Sequence, residues 1–251
     1  MSFPAQRVPN FDHVVVFGDS LSDNGNAGRA SNGPVWVEQL AEWAGLALQP
    51  SRIGGSNFAI GGALLDSRSG DTSLRAQATV YLRAPRPRGR ILHIVYGGGN
   101  DLLRAVGYPE PSMVINAAVG SLRSIVADLA NQGATDILVP NVPGLGITPA
   151  VRVYGSQAAA AADKLAEHFN DALDQALSSL ARANGPRLYC FDVWKLAERV
   201  RADPTAVGFI DISTPCGERR SCDGYLFWDD VHPTTQAHRR LAEAAIQVLT
   251  A

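Results

Sequence analysis

Four short apolar runs alternate along this chain with longer amphipathic ones, and that alternation restricts the fold more than any other feature. Residues 14–17 are Val-Val-Val-Phe, a continuous run stopped by Gly18. Residues 91–96 stop at Gly97-Gly98-Gly99, 136–139 precede Pro140, and 188–193 make a fourth run. Apolar runs without polar alternation are expected of strands buried on both faces. Helical periodicity covers 35–44, 112–131, 156–184 and 234–249. In the third of these Leu165, Phe169, Leu173, Leu177 and Leu180 fall at helical spacing. Strands alternating with helices imply βαβ units, hence an α/β fold with a parallel sheet covered on both sides. The glycine-rich segments fall at the carboxyl ends of the expected strands, the edge where open α/β sheets place ligands.

With 251 residues, 46% of them hydrophobic and 18% charged, the chain fits a single globular domain over 1–251. A net charge of -2 gives no electrostatic reason to expect nucleic acid or an anionic membrane as partner. The one basic run, Arg83, Arg86, Arg88 and Arg90, is interleaved with Pro85 and Pro87 and reads as a solvated loop. No stretch approaches the uninterrupted apolar length of a transmembrane segment. Residues 1–6 lack the apolar core of an export signal, so the chain is either cytoplasmic or the mature form of a secreted or periplasmic protein. Cysteine usage favours the second. Cys216 and Cys222 bracket a polar turn and are placed to close a local disulfide; two free thiols in a reducing cytosol are the alternative. Cys190, in an apolar run, reads as a buried small hydrophobe.

Four segments carry candidate chemistry. Ser20 follows the first run by three residues, on a turn that Gly18 allows to be sharp, and a serine there can attack a carbonyl if a base takes its proton. Taken alone, the segment favours a plain turn or capping serine. His232 stands before Pro233, which keeps it out of helical geometry, and Thr234 or Thr235 can cap the closing helix. Asp229, three residues upstream, can accept the Nδ1 proton and leave Nε2 facing Ser20. A metal site at Asp229, Asp230 and His232 would need further ligands. The other histidines scatter instead, His13 and His93 in expected strands and His168 and His238 in expected helices. There is also no matched Cys-x-x-Cys pair. No metal or organic cofactor is therefore expected. Donors for an oxyanion are available from the Ser20 N–H, the Gly62 N–H and the Asn100 side chain. No phosphate-binding glycine motif is present, and Ser22 stands where a Gly-x-Ser-x-Gly elbow needs glycine.

Taken together, Gly18-Asp19-Ser20-Leu21, Gly62, Gly98-Gly99-Asn100-Asp101 and Asp229-Asp230-Val231-His232-Pro233 resemble the GDSL esterases and lipases of the SGNH hydrolase superfamily. The segments from Gly18 to Asn26 and from Tyr225 to Thr234 are similar to those of secreted bacterial lipases, phospholipases and autotransporter esterase passengers, and the paired cysteines suit that subgroup. The resemblance implies a flavodoxin-like three-layer α/β/α domain. It implies Ser20 as nucleophile, His232 as base and Asp229 as its partner, with Ser20, Gly62 and Asn100 forming the oxyanion hole. The expected activity is hydrolysis of a small-molecule or lipid ester through an acyl-serine. Acyl transfer to an alcohol would use the same intermediate. A non-catalytic carbohydrate- or lipid-binding module on this scaffold would be expected to have lost one of these residues, and all are present. Leu145, Ile147 and Val151 are candidates for an acyl pocket or for the core, and 102–111 and 145–154 for loops over the site.

Overall fold

The structure, a computed structural model, describes residues 10–180 and 185–251. The elements run in the order β1 (His13–Gly18), α1 (Trp36–Trp43), α2 (Leu74–Arg83), β2 (Ile91–Tyr96), α3 (Gly99–Ala105), α4 (Pro111–Asn131), β3 (Asp136–Pro140), α5 (Pro149–Arg152), α6 (Ser156–Ser178), β4 (Arg187–Phe191), α7 (Val193–Ala202), β5 (Asp211–Pro215), β6 (Tyr225–Phe227) and α8 (Thr235–Thr250).

Strands β1 to β4 form a parallel sheet in that spatial order. Residues 56–60 lie along the free side of β1. The Val16 N–H donates to the Ser56 carbonyl, and the Phe58 and Ile60 N–H groups donate to the carbonyls of Val16 and Gly18. Counting that segment as a strand, β1 lies inside the sheet and the order becomes 2-1-3-4-5, the flavodoxin-like arrangement. Its order reverses between β1 and β2, and ligands bind in the crevice above that point.

The period of two along each strand divides the core. Val15, Phe17, Val95, Ile137 and Val139 face α2, α4 and α6, while Val14, Val16, Leu92, Ile94 and Leu138 face α1 and α8. Helices thus cover both faces of the sheet. Helix α4 is long and apolar enough to cross a bilayer by length and composition, although Arg123 and Asp128 interrupt its apolar sequence. Its stripe from Val114 and Ile115 through Leu122 to Leu129 is buried against the core.

Other expectations shift. The fourth strand ends at Phe191 rather than at residue 193, because the Asp192 side chain accepts from the Lys195 N–H and starts α7. The third long helix ends at Ser178, and residues 181–184 of its expected span lie outside the described residues, as do 1–6. Residues 102–105, expected in a loop, belong to α3. Cys190 is exposed, not buried. On the outermost strand, alternation sends Tyr189 and Phe191 into the core and turns Cys190 the other way. Arg86 and Arg88 lie in the expected solvated loop, but Arg83 ends α2 and Arg90 pairs with buried Asp136 at 2.6 Å.

Candidate active site

The serine turn is anchored at both ends. Gly18 ends β1, and the buried Gln77 amide clamps it. Gln77 Oε1 accepts from the Gly18 N–H at 2.9 Å, and Nε2 donates to the Gly18 carbonyl at 2.8 Å. Beyond it the Asp19 carbonyl accepts from the N–H groups of Ser22 and Asp23, each at 3.0 Å, and Asp19 Oδ1 accepts from the Leu21 N–H. Ser20 is left half-buried at the apex. Burial pushes the neighbouring Asp19 carboxyl up to about 6, against the pull of the Leu21 N–H and the His232 ring.

His232 sits on a reverse turn between Phe227 and Pro233, which form an antiparallel bridge. The Trp228 N–H donates to the His232 carbonyl at 2.8 Å. Asp229 both closes this turn and contacts the ring. Its Oδ1 accepts from the N–H groups of Val231 (2.8 Å) and His232 (2.6 Å), and Oδ2 lies 2.7 Å from His232 Nδ1. Burial raises the Asp229 pKa, but these hydrogen bonds outweigh it and hold the carboxyl below its ordinary range. An ionised carboxylate only accepts, so Nδ1 carries the proton and Nε2 is free to accept. Ser20 Oγ lies 2.9 Å from Nε2. Thr234, not Thr235, caps α8, its Oγ1 accepting from the Ala237 N–H.

Two glycine-bearing loops flank the serine. Gly98 has φ +116°, and a Cβ there would stand 2.6 Å from the Phe169 ring, so only glycine fits the turn into α3. That turn presents Asn100, whose Nδ2 donates one hydrogen to the Ala63 carbonyl at 3.0 Å. On the other loop Gly62 has φ +77°. Adjacent Gly61 lies against the nucleophile turn, where a Cβ would stand 3.8 Å from Ser20 Cβ. Among the described residues the N–H groups of Ser20 and Gly62 have no hydrogen-bond partner.

Sequence reading missed the residues that join these loops. Asp23 Oδ1 accepts from the N–H groups of Gly25 and Asn26, and Oδ2 from those of Ala27 and Gly61. Fully buried Asn57 donates to the Ser22 carbonyl (2.7 Å) and Asn24 Oδ1 (2.8 Å), and accepts from the Ala59 N–H. Nothing in local spacing marks Gln77, 59 residues from Gly18, as a partner of the turn. A mostly apolar cavity of about 170 Å³ opens beside Ser20, Asn100 and His232. Leu145 and Ile147 line it, whereas Val151 packs in the core. The disulfide joins Cys216 to Cys222, just ahead of β6. Among the described residues, no three His, Cys, Asp or Glu side chains gather into a group that could hold a metal ion.

The same fold is found in an acetylxylan esterase from Geobacillus stearothermophilus. That catalytic mutant has a TM-score of 0.59 and 16% identity, over 94% of this chain and 93% of that one. A G-D-S-L family lipolytic protein from Veillonella parvula aligns with a TM-score of 0.57 and 13% identity, over 94% of this chain and 97% of that one. In sequence, the chain is 27% identical to the phosphatidylcholine-sterol acyltransferase of Aeromonas hydrophila, over 96% of this chain and 91% of that protein. It is 27% identical to lipase 1 of Photorhabdus luminescens, of which it spans only 50%, and 25% identical to the thermolabile hemolysin of Vibrio parahaemolyticus, of which it spans 65%. The Aeromonas alignment runs to 316 positions, so that relative carries insertions this shorter chain lacks. The model of the GDSL-like lipase/acylhydrolase family matches residues 14–245, nearly the whole of the chain, which therefore belongs to that family.

Proposed function

We propose that the protein is a carboxylic-ester hydrolase acting through an acyl-serine. One observation carries this reading: the unbroken path from Asp229 Oδ2 through the His232 ring to Ser20 Oγ, with contacts of 2.7 Å and 2.9 Å. Ser20 Oγ attacks the ester carbonyl carbon while its proton passes to His232 Nε2. Asp229 holds the ring and stabilises the imidazolium. The tetrahedral oxyanion accepts from the N–H groups of Ser20 and Gly62, unpartnered among the described residues, and from the second Nδ2 hydrogen of Asn100. As the intermediate collapses, the imidazolium returns the proton to the leaving alcohol. Water then attacks the acyl-serine with His232 again as base, releasing the acid and restoring Ser20. The Cys216–Cys222 disulfide favours an oxidising compartment, outside the cytoplasm, as the place of action.

The acyltransferase named among the relatives supports a second reading, in which an alcohol replaces water at deacylation. Added alcohol would then divert product from free acid to a new ester, at a ratio above the ratio of their concentrations. For either reading, Ser20→Ala should lower release of p-nitrophenol from an acyl ester by about 10³-fold or more. Retention of full activity by folded Ser20→Ala protein would end the proposal.

A further inference from the structure

The cavity beside the candidate catalytic residues carries information about the acyl group. Along one wall runs α7, whose Val193, Leu196, Ala197 and Val200 all line it. Their spacing of i, i+3, i+4 and i+7 places them on one face of the helix. Phe209 and Leu226 also line the cavity, and Ser20, Asn100 and His232 line the same space. His238 lines it too. Its side chain is fully buried, and among the described residues neither ring nitrogen has a hydrogen-bond partner. Burial pushes that imidazole down to about 3, so it adds no charge to the wall at neutral pH. An apolar cavity of about 150 Å³ holds a six-carbon ring such as benzene. By that measure, about 170 Å³ suits a hydrocarbon chain of roughly six to eight carbons. An acetyl group would leave most of it unfilled.

We infer that this cavity receives the acyl chain, and that the substrates are esters of medium-chain acids of about six to eight carbons rather than acetyl esters. The inference rests on the proposed role of Ser20 as nucleophile. Each methylene moved from water into the cavity should raise kcat/KM about fourfold until the space is full.

The test is kcat/KM on p-nitrophenyl esters from acetyl to dodecanoyl, for the unaltered protein, Ser20→Ala and Ala197→Phe. The expected profile climbs from acetyl to hexanoyl or octanoyl and then levels or falls. The ring introduced by Ala197→Phe should lower the octanoyl-to-acetyl ratio by about tenfold or more. Should that variant not fold, the unaltered protein answers the same question, since octylboronic acid should inhibit it at least about tenfold more tightly than methylboronic acid. Ser20-dependent hydrolysis that is fastest on acetyl, or equal inhibition by the two boronic acids, would overturn the inference and leave the ester-hydrolase reading standing. Absence of Ser20-dependent hydrolysis at every chain length would overturn that reading and this inference with it.

Discussion

In the proposed mechanism, Asn100 is the side chain that would separate ground-state from transition-state binding. One Nδ2 hydrogen is held by the Ala63 carbonyl, which aims the amide and leaves the other hydrogen for an oxyanion. Because charge develops on that oxygen only as the tetrahedral state forms, Asn100→Ala should lower kcat by about 10²–10³ while changing KM little. A proportionate rise in KM at unchanged kcat would instead make Asn100 a plain substrate contact. Residues of this kind were legible in the sequence because their chemistry is local. Asp229 and His232 stand three apart on one turn, and Asn100 follows a glycine run at a strand end. Asp23, Asn57 and Gln77 were not, because their roles depend on partners up to 59 residues away that only the folded sheet brings close. Cys190 was misread for the complementary reason: an apolar neighbourhood in sequence does not say which side of an edge strand faces the core.

Among the elements, the segment from β5 to α8 delivers the imidazole. Asp211 pairs with Tyr225 and Pro215 with Phe227, both in parallel, while the Thr234 hydroxyl donates to the Tyr225 carbonyl and locks the start of α8 onto β6. The disulfide closes the loop between β5 and β6. Constraining so short a loop in the unfolded chain is worth about 2 kcal/mol. In a chain of this size, replacing both Cys216 and Cys222 by serine should therefore lower Tm by roughly 4–8 °C in a thermal melt. An unchanged Tm would mean that the bond adds nothing to the folded state. The two short strands were not expected from sequence, since three to five residues give too short a window for period two to register. The long helices, where many turns repeat one apolar stripe, were placed to within a residue or two at most ends. Helix α7 was concealed by its junction with β4, although the spacing of Val193, Leu196, Ala197 and Val200 is helical.

For the molecule as a whole, buried titrating groups of opposite sign set the response to acid. Burial pushes Asp19 and Asp101 up to about 6. Below that value the folded protein binds protons that the unfolded chain takes up only near pH 4, so these two groups stabilise it as pH falls from about 6 to 4. Burial pushes His93 and His238 down, to about 4 and about 3. Here the unfolded chain binds the protons first, below about 6.5, and falling pH destabilises the fold. Each such group changes stability by about 1.4 kcal/mol per pH unit, and two of each sign cancel. The urea midpoint should therefore be nearly flat from pH 6 to 4. Below 4 the aspartate gain is complete, while His238 still opposes folding. Asp211, whose burial is outweighed by hydrogen bonds from Thr214 and Ser213 that hold it at about 2, then loses its contribution. The midpoint should drop steeply there, and a steep slope between pH 6 and 4 would show that one set of groups dominates. The proposed chemistry requires that one hydroxyl among many be made nucleophilic by His232 and Asp229. The most direct measurement is titration with a fluorophosphonate, following ester hydrolysis and locating the adduct by peptide mass spectrometry. A single adduct on Ser20 is expected, with activity lost in proportion to labelling. Hydrolysis that persists with Ser20 fully labelled would contradict it.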